Sequence, residues 1–93
     1  MSVAVRIPTI LRTYTGGESE VSVDPAQDDL ASVIDALEVA APGIRARVLD
    51  DTGALRRFVN VYVGDDDVRF LDGLSTPTPA GAKISIIPAV AGG

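Results

Sequence analysis

The sequence predicts an α+β fold in which one amphipathic helix covers one face of a single mixed β-sheet. Segments with an apolar residue at every second position occur on both sides of one stretch with helical spacing. Glycines and prolines separate these segments. The 93 residues are 46% hydrophobic and 23% charged, which suits one small core. We therefore expect one domain over residues 1–88, followed by a flexible tail over residues 89–93.

The first two strands are predicted to form a β-hairpin. Val3, Val5 and Ile7 alternate with less apolar residues, and Pro8 limits the continuation of this strand. A Thr-Gly-Gly-Glu segment supplies turn residues, after which residues 20–23 alternate again.

The helix is predicted to begin after an aspartate. Asp28 or Asp29 serves as the N-cap, and Pro42 and Gly43 end the helix. Apolar residues recur at i, i+3, i+4, i+7 and i+11, which places them on one face: Leu30, Val33, Ile34, Leu37 and Ala41. A short helical turn is expected within residues 44–49.

A second hairpin is predicted from the alternation of Val59, Val61 and Val63. Gly64 and the aspartates after it turn the chain into a short strand over residues 68–70. Residues 71–82 are expected to be irregular because they are rich in glycine, proline and small polar residues. The last strand is expected over residues 83–87.

This order of elements favours a β-grasp fold, in which the first and last strands are parallel neighbours at the centre of the sheet. The apolar character of both strands agrees with a central position. A ferredoxin-like sandwich is the alternative, but it requires a second full-length helix. Residues 44–57 give only a weak helical pattern.

Composition disfavours several classes of function. The net charge of −5 opposes nonspecific binding to nucleic acid or to anionic lipid. No apolar run approaches the ~20 residues that span a bilayer, and no secretion signal is recognisable, so a cytoplasmic location is expected. The chain has no cysteine and no histidine, which excludes thiol and imidazole chemistry and disfavours a metal site.

The Gly92-Gly93 ending is the predicted reactive site. A terminal carboxylate has a pKa of about 3.3 to 3.7, so at neutral pH it is ionised and reacts as an acyl group only after activation by a partner. Pro88 lacks the N–H that a further ladder bond needs, which favours release of residues 89–93. Five extended residues reach roughly 17 Å, enough to enter a partner's active site.

The sequence resembles the ubiquitin-like sulfur carriers of the ThiS, MoaD and CysO group, and within that group it resembles the CysO-type carriers of actinobacteria. The resemblance runs through the whole chain. It rests on residues 7–12 (IPTILR), 15–17 (TGG), 57–63 (RFVNVYV), 67–70 (DVRF) and 88–93 (PAVAGG).

The resemblance implies a protein cosubstrate rather than an enzyme. A ubiquitin-activating-like adenylating and sulfurtransferase enzyme would use ATP and magnesium to adenylate Gly93, and sulfur transfer would yield a thiocarboxylate. A pyridoxal-phosphate-dependent cysteine synthase and a metallopeptidase would then act on it. All these cofactors belong to the partners, and none is implied on this chain. The alternatives are sulfur donation to thiamin, molybdopterin or a sulfur-containing natural product, covalent modification of proteins, and a noncovalent synthase subunit.

A docking surface is also predicted on the sheet face opposite the helix. The side chains expected on that face are those of Arg6, Asn60, Tyr62, Ser85 and Ile87, and the predicted partner contacts among them are Asn60, Tyr62 and Ile87. Docking is indicated because an aromatic and a large aliphatic side chain are costly to expose and aromatic residues are enriched at interfaces. The tail residues Ala89, Val90 and Ala91 would bind in the partner's channel. The alternative is that Ile87 packs beneath residues 71–82.

Overall fold

The computed structural model describes residues 2–88, which form one five-stranded mixed sheet in the order β2-β1-β5-β3-β4. The strands are β1 (Val3–Arg6), β2 (Glu20–Val23), β3 (Val59–Val63), β4 (Asp66–Asp67) and β5 (Lys83–Pro88). The helices are α1 (Leu30–Ala40) and the four-residue α2 (Arg45–Val48). This architecture confirms the predicted α+β class and β-grasp arrangement.

The first and last strands are parallel neighbours inside the sheet, as predicted. Val5 of β1 lies opposite Ile84 of β5, while β3 pairs antiparallel with the other edge of β5. β5 is therefore hydrogen-bonded on both sides. The predicted hairpin of β1 and β2 is also present, with Val5 opposite Val21.

Helix α1 begins at the aspartate that the sequence indicated. The Asp29 carboxylate accepts a hydrogen bond from the Ser32 N–H at 2.8 Å, which satisfies one of the free donors of the first turn. The predicted apolar residues of α1 are all buried, and Ala41 just beyond it is also buried. Gly43 follows with φ of +98°, a conformation that favours glycine.

The connection between β4 and β5 is hydrogen-bonded to the start of α1. The Thr76 carbonyl accepts a hydrogen bond from the Leu30 N–H at 3.1 Å, and the Thr78 N–H donates to the Asp28 carbonyl at 2.9 Å. Both threonine side chains are buried. The irregular segment that the sequence predicted is thus an integral part of the packed domain.

The prediction of a strand over residues 68–70 is wrong. β4 is only Asp66–Asp67, and Val68–Phe70 forms a 3₁₀ helix. The Asp67 carboxylate accepts a hydrogen bond from the Arg69 N–H at 2.9 Å, which coils the chain, and Val68 turns into the core with no exposed surface. A further 3₁₀ helix, Thr9–Tyr14, lies in the first connection, where the sequence indicated only a turn.

The core lies entirely between the helical layer and one face of the sheet. Val5, Leu30, Leu37 and Ile84 are among its most buried members, each with 1% or less of its surface exposed. Among the described residues, neither α1 nor α2 lies over the other sheet face. No helix within residues 2–88 is long and apolar enough to cross a membrane.

Candidate functional site: the open sheet face and the base of the tail

The open face of the sheet carries the side chains that alternate with the core residues. In β3, Val59 and Val61 are buried while Asn60 and Tyr62 are half-buried. Ile87 of β5 is 48% exposed. The alternative in which Ile87 packs beneath residues 71–82 is therefore wrong, and the side chain lies on the open face.

The three predicted docking residues lie close together. Asn60 is directly opposite Ile87 in the β3–β5 register, and Tyr62 is opposite Ser85. Residues at opposed positions on one face have Cβ atoms about 4.5–5.5 Å apart, so their side chains form one continuous surface. The other predicted site residues lie outside the described part of the chain: Ala89, Val90, Ala91, Gly92 and Gly93.

Arg69 belongs to this surface, although the sequence did not identify it. Its Nη1 donates a hydrogen bond to Asn60 Oδ1 at 2.6 Å, and its Nη2 donates to the Arg56 carbonyl. These bonds hold a guanidinium group against the docking residues. The prediction placed Arg69 in a strand that does not exist, so its contact with Asn60 could not be foreseen.

One exposed aromatic ring, that of Phe58, lies at the end of the sheet where β5 ends. Phe58 is 61% exposed and immediately precedes Val59, which is opposite Pro88 in the register. The Arg57 guanidinium lies 5.8 Å from the centre of the Phe58 ring, a cation–π distance. Phe58 is thus an exposed aromatic side chain near the point where the tail begins. The sequence pattern did not reveal this exposure, so Phe58 was not among the predicted site residues.

A groove of about 400 Å³ adjoins the last residues of β5. It opens where β1 ends and the 3₁₀ helix Thr9–Tyr14 begins, and it combines apolar and cationic groups. Its walls are formed by Arg6, Pro8, Thr9, Arg12 and the end of β5, including Ile87 and Pro88. Arg12 is held by a hydrogen bond from its Nε to the Ile7 carbonyl at 3.2 Å.

Two carboxylates have lowered pKa values, and in both the cause is hydrogen bonding within a local turn. Glu38 accepts hydrogen bonds from the Gly43 and Arg45 N–H groups, and these bonds lower its pKa. The pKa of Asp50 is lowered by hydrogen bonds from Thr52. Both carboxylates cap turns on the helical side. Within residues 2–88 no three acidic side chains are grouped in a way that could hold a metal ion.

The open face and the groove thus bring exposed apolar and cationic groups close to Pro88, after which the predicted reactive terminus follows. The profile of the ThiS family matches residues 5–93 of the sequence. The chain belongs to the ThiS family. The match covers the docking residues, the groove and the Gly-Gly ending.

Relatives within and around the ThiS family agree with this assignment. The chain is 50% identical to the sulfur carrier protein CysO of Mycobacterium tuberculosis, over the full length of both chains. CysO of Amycolatopsis orientalis, in the crystal structure of its complex with BexX, has a TM-score of 0.89 at 48% identity, covering 98% of this chain and 99% of that one. Small archaeal modifier protein 3 of Haloferax volcanii is 38% identical over 69 residues, covering 71% of this chain and 74% of its own length.

These similarities confirm the resemblance to CysO-type members that the sequence indicated. They also confirm that the chain is a small ubiquitin-like protein of the kind that serves as a cosubstrate, and not an enzyme.

Proposed function

We propose that the chain is a sulfur carrier of the CysO type and that its Gly93 carboxylate becomes a thiocarboxylate. The observation that carries this proposal is the 50% identity to a sulfur carrier over the full length of both chains. The Gly92-Gly93 ending supplies a group suited to the chemistry, since glycine lacks a Cβ and leaves its carbonyl open to attack.

The proposed reaction takes place on a partner enzyme in two steps. A carboxylate oxygen of Gly93 attacks the α-phosphorus of ATP, and pyrophosphate leaves. Sulfide, or an equivalent sulfur nucleophile on the partner, then attacks the acyl carbon, and AMP leaves with that oxygen. The acyl-adenylate is needed because an ionised carboxylate is a poor electrophile.

The proposed destination of the sulfur is cysteine. On a pyridoxal-phosphate-dependent synthase, the thiocarboxylate sulfur would replace the activating group at the β-carbon of an activated serine. The acyl group would then move from sulfur to the amine, which converts the thioester to an amide, and a metallopeptidase would hydrolyse this amide to release cysteine. Magnesium, ATP and pyridoxal phosphate act on the partner enzymes in this scheme. Donation to thiamin, molybdopterin or a sulfur-containing natural product would use the same thiocarboxylate.

Intact-mass spectrometry tests the central step. After incubation with the adenylating enzyme, ATP, magnesium and sulfide, the chain should gain the mass that corresponds to one oxygen replaced by one sulfur. A chain that lacks Gly92 and Gly93 is the matched control and should keep its mass. An unchanged mass in the full chain, or an equal change in the control, would refute the proposal.

The docking role of the open face is a separate part of the proposal. Tyr62 and Ile87 would contact the adenylating enzyme, because both lie on the open face and Ile87 directly precedes Pro88, where the tail begins. Tyr62→Ala and Ile87→Asp should each weaken the binding of that enzyme, as measured by titration calorimetry. Unchanged affinity in both variants would remove the docking role and leave the Gly93 chemistry untouched.

Covalent modification of proteins is a second candidate function, favoured by the 38% identity to a small archaeal modifier protein. In that case the activated Gly93 would pass to a lysine amine instead of to sulfur. Peptide mass spectrometry of a cell extract would then detect this chain's C-terminus joined to lysines of other proteins. The sulfur-carrier proposal instead expects thiocarboxylate chains and no such adducts.

A further inference from the structure

The shortness of the tail restricts where an adenylating enzyme can bind. Residues 89–93 follow Pro88 and span at most roughly 17 Å. An enzyme that encloses Gly93 must therefore cover the surface around Pro88. That surface includes the groove formed by Arg6, Pro8, Arg12 and Ile87. This step rests on the proposed activation of Gly93.

The groove is cationic although the chain as a whole carries a net charge of −5. Among residues 2–88, the Arg6 side chain forms no hydrogen bond and no ion pair. Arg12 uses only its Nε, toward the Ile7 carbonyl, so its two Nη groups have no partner within the described residues. Both guanidinium groups are available for a binding partner.

The nearest acidic side chain in the sheet does not remove this charge. Glu20 lies opposite Arg6 in the β1–β2 register, but its Oε1 is 3.8 Å from the Lys83 ammonium group. The pair of Lys83 and Glu20 is close to neutral, which leaves Arg6 as excess positive charge. Asp66 lies at the other end of β3, opposite Val63, and so cannot neutralise the groove.

Two anionic occupants could complement the groove: the chain's own terminal carboxylate or an acidic segment of the enzyme. Folding back would require the ordering of all five tail residues, and the conformational entropy lost would exceed what two exposed ion pairs, one to each arginine, return. A segment of a folded enzyme is already ordered and meets no such cost. The enzyme's segment is therefore the favoured occupant.

We propose that this groove receives an acidic segment of the adenylating enzyme, and that Arg6 and Arg12 attract and orient it beside the tail. Both residues are positioning residues, since they line the groove near Pro88 and are not proposed to contact the reacting carboxylate of Gly93. Charges at the rim of an interface act mainly on association and on its salt dependence. Their removal should therefore raise KM for the carrier and leave kcat unchanged.

Steady-state kinetics of pyrophosphate release by the adenylating enzyme, with the full chain as the varied substrate, test this proposal. The double variant Arg6→Gln/Arg12→Gln should raise KM about tenfold at low salt, from about threefold for each charge. The wild-type KM should rise as salt is added, and the KM of the double variant should change much less.

Two variants separate charge from structure. Arg6→Lys/Arg12→Lys keeps both charges but loses the Arg12 Nε contact with Ile7, and it should retain a KM near the wild-type value. Arg45→Gln removes the same charge from the helical side, where Arg45 pairs with Asp35 at 3.1 Å, and it should leave KM unchanged. Thermal unfolding of all variants shows whether a rise in KM follows from loss of the fold.

The outcomes distinguish this inference from the proposed function. Normal turnover of the wild-type chain with an unchanged KM in the double glutamine variant overturns the inference alone. A lowered KM in that variant also overturns it and indicates that the groove binds the chain's own tail. An equal rise in KM for Arg45→Gln would show that the effect depends on the net charge of the chain and not on the groove, and it would also overturn the inference. Absence of turnover by the wild-type chain would overturn the proposed function, and the inference with it.

Discussion

The two faces of β5 differ in what their side chains contribute, although they belong to one strand. Ile84 and Ile86 are 1% and 4% exposed and pack under α1, whereas Ile87 is 48% exposed on the open face. Successive side chains of a strand point to opposite faces, so neighbouring residues can meet unrelated requirements. The comparison indicates that the helix-covered face stabilises the domain and that the open face is available for recognition.

Ile84 and Ile87 provide the sharpest test of this comparison because they are the same residue type on the same strand. Ile84→Ala should lower the free energy of unfolding by about 2–5 kcal/mol, since it removes a fully packed side chain from the core. Ile87→Ala should lower it by less than about 1 kcal/mol because half of its surface is already in water. Urea unfolding monitored by circular dichroism gives both values.

Binding measurements complete the same pair. Ile87→Ala should weaken binding to the adenylating enzyme despite its small effect on unfolding. Losses of stability that are equal in the two variants would contradict the division of labour between the faces.

Gly43 tests how tightly the covered side is packed at the end of α1. A Cβ at this position would lie 2.9 Å from Tyr14 Cε1, and the φ of +98° disfavours any side chain. Gly43→Ala should therefore lower the free energy of unfolding by about 2–3 kcal/mol. Gly53→Ala is the matched control, since its φ is +85° but no atom lies within 4 Å of the added Cβ. If thermal unfolding shows equal losses, the Tyr14 contact is unimportant.

Thr78 is a buried residue whose hydroxyl group lacks a hydrogen bond among the described residues. Thr78→Val should raise the free energy of unfolding by about 1 kcal/mol, because it replaces this hydroxyl with a methyl group of similar shape. Thr76→Val should lower it by a similar amount, about 1 kcal/mol, since the Thr76 hydroxyl accepts a hydrogen bond from the Asp72 N–H. Calorimetric melting of the two variants should shift in opposite directions.

Glu38 should give the smallest effect, confined to acid. Hydrogen bonds from the Gly43 and Arg45 N–H groups lower its pKa in the folded chain. Its contribution to stability is thus present above the unfolded pKa of about 4.3 and is lost as the pH falls through the lower folded value. Glu38→Gln should make the free energy of unfolding less dependent on pH below about pH 5. Parallel acid profiles for the wild type and the variant would exclude this contribution.

The regular part of the fold could be predicted because its patterns are local. The alternation of Val59, Val61 and Val63 depends on burial of one strand face, and the spacing of the α1 residues depends on burial of one helix face. The cap at Asp29 follows from side-chain chemistry within a few residues. These elements required no knowledge of distant contacts.

Residues 68–70 show where such reasoning fails. Val-Arg-Phe has the composition of a strand, but the Asp67 carboxylate and the burial of Val68 coil it instead. The same error concealed the contact between Arg69 and Asn60, which lie nine positions apart in the sequence. The sequence placed Arg6 on the open face, but it did not predict the groove that Arg6 shares with Arg12, because this groove exists only where the end of β5 meets the start of the first 3₁₀ helix.

The central place of β5 also has a mechanical consequence. Its paired positions run from Lys83 to Ser85 along β1 and from Ile84 to Pro88 along β3. A pull directed along β5 would load the ladders on both sides in shear, so their hydrogen bonds would have to yield together rather than one at a time. A force applied at the end of β5 would therefore have to break both ladders before this strand could leave the sheet.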